Sequence, residues 1–221
     1  MTLNDLVSYN HKHNLENGEE NRDGHSSEFS FNCGIEGPTQ DAEVMELRRR
    51  KIRLMHFLLQ VSNGIPMIIA GDEMLRTYFG NNNAYCHDSP LTWVDWTLAE
   101  RNSELVEYVG SLTDFRKKNF GFLFSETSHY QWFNAIGEEE SLEEYVRTLH
   151  WQVFNQQSRE TEFRFLVNCF ERPVEFQVHA NNEWELVLDS YGDVLGPISW
   201  EKTGSVWVEG FSAKVLKIQS R

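Results

Sequence analysis

The stretch IPMIIAGDE, residues 65–73, decides the fold expected of this chain. Apolar residues run without interruption from Ile65 to Ala70, and a polar Gly-Asp-Glu follows at once. A short apolar run bounded in this way is typical of a strand buried on both faces of a parallel sheet. Ligands of parallel α/β folds meet the carboxyl ends of the strands, so Asp72 and Glu73 stand where functional side chains concentrate. Alternatively, these acids only cap the next turn, and at most one of them would point into a pocket.

Helical patterns lie on both sides of this strand. Apolar residues recur at three- and four-residue steps over residues 41–62 and again over residues 97–119, which predicts two amphipathic helices. Residues 9–40 have neither apolar period and predict a long loop, which in a compact domain is usually functional or disordered. One parallel strand with two helices is not a complete domain, because a parallel sheet needs neighbouring strands. The first half of the chain is therefore predicted to be a piece of something larger.

The second half of the chain has a different pattern. Short alternating segments separated by Gly, Pro, Asn and Asp predict an antiparallel β-sandwich of seven strands, at 129–134, 149–156, 162–170, 174–180, 183–190, 205–210 and 213–219. The acidic segment at 137–145 predicts an exposed loop or a turn of helix. These patterns divide the chain into a first domain at 1–120 and a β-sandwich domain at 121–221.

Composition excludes several classes of function. The chain has 20 basic and 34 acidic residues and a net charge of −14, which repels nucleic acid and anionic lipid but allows a neutral ligand. Its three cysteines have no CxxC spacing, so neither a disulfide framework nor a zinc site is expected. No apolar run has the length of a membrane span and no signal peptide is visible. These features predict a cytoplasmic protein with reduced thiols, no metal and no cofactor.

The loop after residue 73 carries side chains suited to a neutral ligand. Asn81–Asn83 and Asp88 supply both donors and acceptors, which the hydroxyls of a sugar require. Trp93 and Trp96 either stack on sugar rings or pack the loop, and packing is favoured for each Trp alone. His11 and His13 in the first loop form a weak metal-binding pattern, and a solvated loop is the favoured interpretation there.

Several motifs together carry a family resemblance. They are NHKHNLENGEENRDG, GIEGPT, NGIPMIIAGDE and GNNNAYC-x-D-x-x-x-TW-x-DW, with VNCFERPVEFQVHANNEWELVLDS in the second half. In these motifs the chain resembles the isoamylase and glycogen-debranching branch (bacterial GlgX type) of the α-amylase clan. Essentially the whole chain matches, in order, the C-terminal third of that family.

The resemblance implies a (β/α)8 barrel followed by a β-sandwich. Residues 65–70 would be the eighth barrel strand, and residues 9–40 a loop on the catalytic face. Members of the family hydrolyse α-1,6 branch linkages of glycogen-like α-glucans with retention, using an Asp nucleophile, a Glu acid/base and a further Asp that holds substrate. Retention requires the two working carboxylates to lie about 5 Å apart at a rigid barrel mouth.

The three family acids have no counterpart in this chain. Two of them lie on the fourth and fifth barrel strands, and the third stands in a His-Asp-Gly motif just ahead of a segment like Thr2–Leu6. No catalytic residue is therefore assigned. His11 and His87 also depart from the family, which commonly has an acid and Gln there. By this comparison the residues expected to contact substrate are Glu73, Asn83, Asp88 and Trp93.

Two hypotheses of function follow. In the first, the chain is a portion of a debranching α-1,6-glucosidase that is inactive alone and binds α-glucan (glycogen or limit dextrin). An N-terminal polypeptide would then complete the barrel, and uncovered barrel surfaces would lead to self-association. In the second, it is a non-catalytic glucan-binding or interaction module whose β-sandwich offers aromatic residues to a sugar, namely Trp151, Trp184, Trp200 and Trp207.

Overall fold

A computed structural model describes residues 1–26, 29–139, 146–155, 161–178, 184–192, 198–199 and 204–218. The chain divides into two compact units. The first unit comprises Met1–Met55 and Ile65–Gly110, and the second comprises His56–Gly64 and Ser111–Arg221. Both long helices of the chain run through a boundary between the units, so each unit contains one part of each helix.

The helices agree with the apolar periodicity. They are α1 at Leu3–Leu6, α2 at Ala42–Val61, α3 at Thr97–Arg101 and α4 at Ser103–Leu123. The helix predicted at 41–62 is confirmed as α2, whose start is capped by Asp41: its Oδ1 accepts the backbone N–H groups of Glu43 and Val44 at 3.0 Å. The helix predicted at 97–119 is present as α3 and α4, which are separated at Asn102. Short 3₁₀ turns occur at Leu15–Asn17, Asp72–Met74 and Ala84–Cys86.

In the second unit, Arg116 closes the end of α2. Its guanidinium donates to the carbonyls of Gln60, Ser62 and Gly64 at 2.6, 2.8 and 2.5 Å. These carbonyls belong to the last turn of the helix and the residues after it, which have no partners within the helix. A buried cation at this position also compensates the negative end of the helix dipole.

The apolar run at 65–70 is not a strand, and the prediction of a buried strand there is wrong. Ile65 and Met67 are 92% and 85% exposed, and Ile68 and Ile69 are also exposed. The physical reason is the lack of a partner, because the described residues of the first unit contain no strand that could pair with this segment. Without a neighbour to bond its backbone groups, an apolar sequence cannot form a sheet.

The second unit is antiparallel. The strands in the described part of the chain are β1 Ser128–Phe133, β2 Thr148–Asn155, β3 Thr161–Asn168, β4 Val174–Gln177, β5 Trp184–Asp189, β6 Ile198–Ser199, β7 Ser205–Val208 and β8 Ser212–Ile218. A six-stranded sheet has the order β1-β2-β3-β8-β5-β6, and β4 pairs with β7 in a two-stranded sheet. All seven predicted strands are confirmed, whereas the sequence patterns missed β6. The predicted acidic excursion at 137–145 lies mostly outside the described residues.

The two sheets share one apolar core. Alternate residues of five strands meet in it, among them Leu166 of β3, Phe176 of β4 and Val208 of β7, none of which is exposed to solvent. Each strand therefore has one buried face, which is the pattern that its alternating sequence predicts. The chain is thus a mixed helix and sheet protein in which the strands are antiparallel.

A buried arginine interrupts this apolar core. Arg164 on β3 is 3% exposed, and its guanidinium donates to Gln152 Oε1 at 2.9 Å and lies 3.2 Å from His150 Nε2. Burial lowers the pKa of Arg164 to about 10. Neither of these two partners is a carboxylate, and the rings of Phe133 and Trp184 lie with their centroids 5.1 and 5.3 Å from the guanidinium carbon.

Candidate functional site

Two buried carboxylates join the N-terminal residues to the segment that follows the apolar run. Asp5 accepts the hydroxyl of Thr77 at 2.5 Å and the backbone N–H of Tyr78 at 2.9 Å. Asp72 accepts the backbone N–H of Leu3 at 2.9 Å, and burial raises the pKa of Asp72. Asp72 therefore anchors backbone rather than facing a ligand. Asp5, which the resemblance left without a role, has the same structural task.

Asparagines connect the first loop to the Asn81–Asn83 triplet. Asn14 Nδ2 donates to Asn82 Oδ1 at 2.8 Å, and Asn81 Nδ2 donates to Asn17 Oδ1 at 2.7 Å. These contacts span more than 60 residues of sequence and join two segments without regular structure. Because amides supply donors and acceptors at once, the network needs no charge to satisfy its own groups.

Asp23 completes this network at its carboxylate. Its Oδ2 accepts hydrogen bonds from Asn17 Nδ2 at 2.6 Å and Asn83 Nδ2 at 2.8 Å, and these two bonds lower the pKa of Asp23. The Asp23 carbonyl accepts from Lys12 Nζ at 2.7 Å. Asp23 is therefore an ionised link between the first loop and the triplet.

Glu36 has the corresponding role further along the first loop. Its carboxylate accepts the backbone N–H of Asn10 at 2.8 Å, the side chain of His13 at 3.0 Å and that of Asn32 at 3.0 Å. Partial burial opposes its ionisation, but these bonds and one from the His11 backbone outweigh it, so the pKa of Glu36 falls to about 2. The loop is thus held in one shape by its acids and amides.

Two cavities lie beside these joined loops. One, of about 400 Å³, is lined by Met1, Tyr78, Asn81, Asn82, Asn83, Ala84, Tyr85, His87 and Thr92. The other, of about 600 Å³, is lined by His13, Leu15, Glu16, Tyr78, Phe79, His87, Ser89, Pro90 and Leu91. Aromatic rings beside neutral amides are the lining that a sugar chain requires, because its rings have apolar faces and hydroxyl edges.

The predicted contact residues lie in three settings. Glu73 is half-buried, and its Oε2 accepts the backbone N–H of Gly71 at 3.1 Å. Asn83 lines the smaller cavity, although its amide nitrogen already donates to Asp23. Asp88 and Trp93 form an exposed pair, in which Trp93 Nε1 donates to Asp88 Oδ1 at 2.8 Å.

The two tryptophans of this segment differ from the sequence expectation. The sequence favours packing for each of them, yet Trp93 and Trp96 are 59% and 73% exposed. Trp93 is oriented by its bond to Asp88, so its ring is both accessible and fixed. A fixed exposed indole is a suitable stacking surface for a ligand ring.

Sequence reasoning missed Asp23, Asn14 and Asn17 as parts of the site. It identified their segment as a long polar loop, but not which residues meet the Asn81–Asn83 triplet. His87, noted only as a departure from the family, contacts Asn17 Oδ1 at 2.6 Å through Nε2. The only sequence signal was the density of Asn in both segments, and density does not determine pairing.

In the described ranges, no group of three His, Cys, Asp or Glu side chains is placed to hold a metal ion. None of the helices in the described part of the chain combines the length and the apolar character that a membrane span requires.

Sequence relatives of this chain include glycogen operon and glycogen debranching proteins. No family model matches the chain. A GlgX homologue encoded in the glycogen operon of Mycobacterium tuberculosis is 54% identical over 119 residues, which is 54% of this chain and 16% of that protein. A glycogen debranching enzyme of Serratia proteamaculans is 36% identical over 193 residues, which is 85% of this chain and 28% of that enzyme. The chain therefore spans less than a third of the length of these relatives.

Two solved pullulanase structures share the fold of most of this chain. The type I pullulanase of Bacillus subtilis, solved with maltose, matches 78% of this chain and 24% of its own with a TM-score of 0.64 and 19% identity. The pullulanase of Anoxybacillus, solved with maltotetraose, matches the same shares with a TM-score of 0.60 and 20% identity. At such identity the likeness concerns the fold alone. Together with the sequence relatives it confirms the resemblance carried by the motifs: over the matched residues, this chain is a homologue of the GlgX-type glycogen debranching proteins of the α-amylase clan.

Proposed function

We propose that this chain is the C-terminal portion of a glycogen debranching α-1,6-glucosidase, and that its joined loops bind the α-glucan. Residues 1–120 would form the end of a (β/α)8 barrel, and residues 121–221 the β-sandwich that follows it. The homology to debranching proteins supports the substrate class. The observation that carries the proposal is the asparagine network, which joins two distant loops beside cavities lined with aromatic and neutral polar groups.

The smaller cavity is the proposed entry of substrate to the catalytic centre. By the resemblance, the acid of the family that holds substrate stands just ahead of a segment like Thr2–Leu6, and Met1 lines this cavity. Asn83 at its edge would meet sugar hydroxyls through its side-chain oxygen and its second amide N–H, since the first amide N–H is donated to Asp23. The exposed Trp93 would stack on a glucose ring, held by Asp88. Glu73 would bind a sugar hydroxyl through Oε1, because its Oε2 accepts the backbone N–H of Gly71.

The chain alone is proposed to bind glucan without cleaving it. Retaining hydrolysis needs a nucleophile and an acid/base on opposite sides of the scissile bond, and the resemblance assigns neither role to a residue here. Incubated with glycogen, the 221 residues are expected to release no linear maltodextrin. An N-terminal polypeptide carrying the missing acids should restore release when added. Debranching by the isolated chain would contradict this part of the proposal.

Binding is tested separately by affinity electrophoresis in gels containing glycogen. The wild-type chain should be retarded, and Trp93→Ala should lose most of that retardation, because stacking on one ring contributes about 1 kcal/mol. Trp96→Ala is the matched control, since Trp96 is at least as exposed but lies outside the predicted contacts. Equal retardation of wild type and Trp93→Ala would remove Trp93 from the site.

A second candidate function is glucan binding by the β-sandwich, and one observation favours it. Of the tryptophans that would form its aromatic surface, Trp151 and Trp184 are buried in the core, whereas Trp207 is 55% exposed. Trp200 lies outside the described residues. Trp207 pairs with Glu175 across β4 and β7, and Ser205 Oγ donates to Glu175 Oε1 at 2.6 Å. The exposed ring could stack on the face of a sugar, and the fixed carboxylate beside it could accept a hydrogen bond from a sugar hydroxyl.

The same gels separate the two functions. If the sandwich binds glucan, Trp207→Ala should lose retardation while Trp93→Ala keeps it. If the loops bind glucan, Trp93→Ala should lose retardation while Trp207→Ala keeps it. Both variants change exposed side chains, so their thermal unfolding is expected to match that of the wild type, and a loss of retardation then reports binding rather than folding.

A further inference from the structure

Within the first unit, α2 and the start of α4 enclose a small basic cavity that is separate from the two glucan cavities. It measures about 220 Å³, and Arg49, Arg53 and Arg101 line it. Glu104 is the one acid among the described residues around it. A chain of net charge −14 has few basic residues to cluster, so three arginines facing one cavity require an explanation.

Arg53 is fixed at the inner wall of this cavity. It is 6% exposed, and its guanidinium carbon lies 4.0 Å from the centroid of the Tyr108 ring. The Tyr108 hydroxyl donates to the backbone carbonyl of Arg53 at 3.2 Å, which holds ring and arginine together. This stacking fixes the position of the guanidinium, so Arg53 holds a positive charge at this wall of the cavity.

The helix α4 adds partial positive charge at the same place. It begins at Ser103, and the cavity is lined by Ser103 and Glu104 from its first turn. The first N–H groups of a helix have no acceptors within it, and the helix dipole is positive at this end. Asn102 fixes the turn before it by donating to the carbonyls of Met74 and Leu98, both at 3.1 Å.

We propose that this cavity binds the phosphate group of a small molecule, either free phosphate or a phosphate monoester. Arginine forks match the oxygens of phosphate, and a helix start supports them with backbone donors. The volume fits one phosphate group with a small substituent. This site takes an anion, whereas the loops take a neutral glucan, so the inference does not depend on the proposed function.

Glu104 regulates access to this site. Its carboxylate lies 3.5 Å from Arg49, in a pair whose side chains are 76% and 51% exposed. Exposed pairs of this kind contribute little to stability, so phosphate displaces the carboxylate at small cost. Removing the charge of Glu104 should therefore strengthen phosphate binding, whereas removing the charge of Arg101 should weaken it.

The test is calorimetric titration of the whole chain with sodium phosphate and with glucose 1-phosphate, at constant ionic strength. Saturable binding of one phosphate per chain is expected, and glucose should give no heat. Arg101→Gln should bind about tenfold more weakly, because one charge-assisted hydrogen bond is lost. Glu104→Gln should bind several-fold more tightly. Either order of affinity between the two phosphates supports the site and identifies the source of the phosphate.

Two further variants keep the result interpretable. Arg22→Gln removes the same charge from an exposed loop outside the cavity and should bind phosphate like the wild type. Arg53→Lys keeps the buried charge but loses the fork, so it should bind more weakly while its circular dichroism is unchanged. The proposal is overturned if the wild type shows no saturable phosphate binding, or if Arg101→Gln and Arg22→Gln bind phosphate equally.

Discussion

At the scale of single residues, Glu36 determines how the first loop responds to acid. The ordinary pKa of a Glu side chain is 4.5, and in the folded chain hydrogen bonds lower the pKa of Glu36 to about 2. These hydrogen bonds exist only in the folded chain. A lowered pKa stabilises the fold at pH values above the ordinary one, and this contribution is lost as pH falls from 4.5 towards 2. The loop should therefore loosen in this acidic range.

Glu36→Gln is expected to lower the free energy of unfolding by about 1 kcal/mol at neutral pH, since the amide replaces a charged acceptor by a neutral one. The difference from wild type should shrink as pH falls from 4.5 towards 2, because protonation then removes the same charge from the wild type. Urea unfolding at neutral pH and at pH 3 measures both. Glu19→Gln, which removes a charge from an exposed position of the same loop, should differ little from wild type at either pH. A difference for Glu36→Gln that does not depend on pH would contradict the role of its charge.

The residue scale also shows what the sequence could not predict. Glu36 bonds to Asn10 at a separation of 26 residues, and Asp5 bonds to Tyr78 at a separation of 73. Composition identified these segments as polar loops suited to a neutral ligand. It could not reveal that their amides and acids are occupied by one another, because contacts between irregular segments follow no period.

At the scale of secondary structure elements, periodicity predicted most of the chain. The helix at 41–62 and all seven strands were found because each buries one face of its own length. The prediction of a buried strand at 65–70 failed for a related reason. A uniformly apolar run predicts burial only when neighbouring strands exist to cover it, and a local pattern contains no information about neighbours.

Arg164 departs from the alternating pattern of its strand. A strand pattern predicts an apolar residue at a core position, and here a guanidinium is held by Gln152 and His150. Burial lowers its pKa to about 10, so the charged form is disfavoured in the folded state relative to the unfolded chain. At neutral pH the desolvation of this charge therefore opposes folding, and it would cease to do so only as pH rises above 10.

Arg164→Met should accordingly be neutral or more stable than wild type by about 1 to 4 kcal/mol, because an apolar side chain of similar volume fills the site without desolvation. Arg164→Ala should be less stable by about 3 kcal/mol, because it leaves a cavity and unpaired dipoles. Urea unfolding at neutral pH compares the two variants. Arg147→Met, at an exposed position in the same unit, should be close to wild type. Equal destabilisation by Met and Ala at position 164 would mean that the charge itself holds the core together.

At the scale of the whole molecule, the exposed apolar run has a consequence for association. Ile65 and Met67 are almost fully exposed, and Ile68 and Ile69 extend the same apolar segment. A contiguous patch of this kind is unusual on a monomeric surface, because its burial against another surface is favourable by about 25 cal/mol per Å².

The isolated chain should therefore associate with itself as its concentration rises, and charged residues in the patch should oppose this association. The double variant Ile65→Glu, Met67→Glu is expected to shift the mass measured by light scattering towards that of a monomer. Leu15→Glu is the matched control, because Leu15 is 73% exposed and lies on a 3₁₀ turn outside this segment. Association driven by the patch predicts that Leu15→Glu behaves like wild type. A wild-type chain that stays monomeric at every concentration, or a double variant that associates as strongly as wild type, would show that this segment is not the adhesive surface.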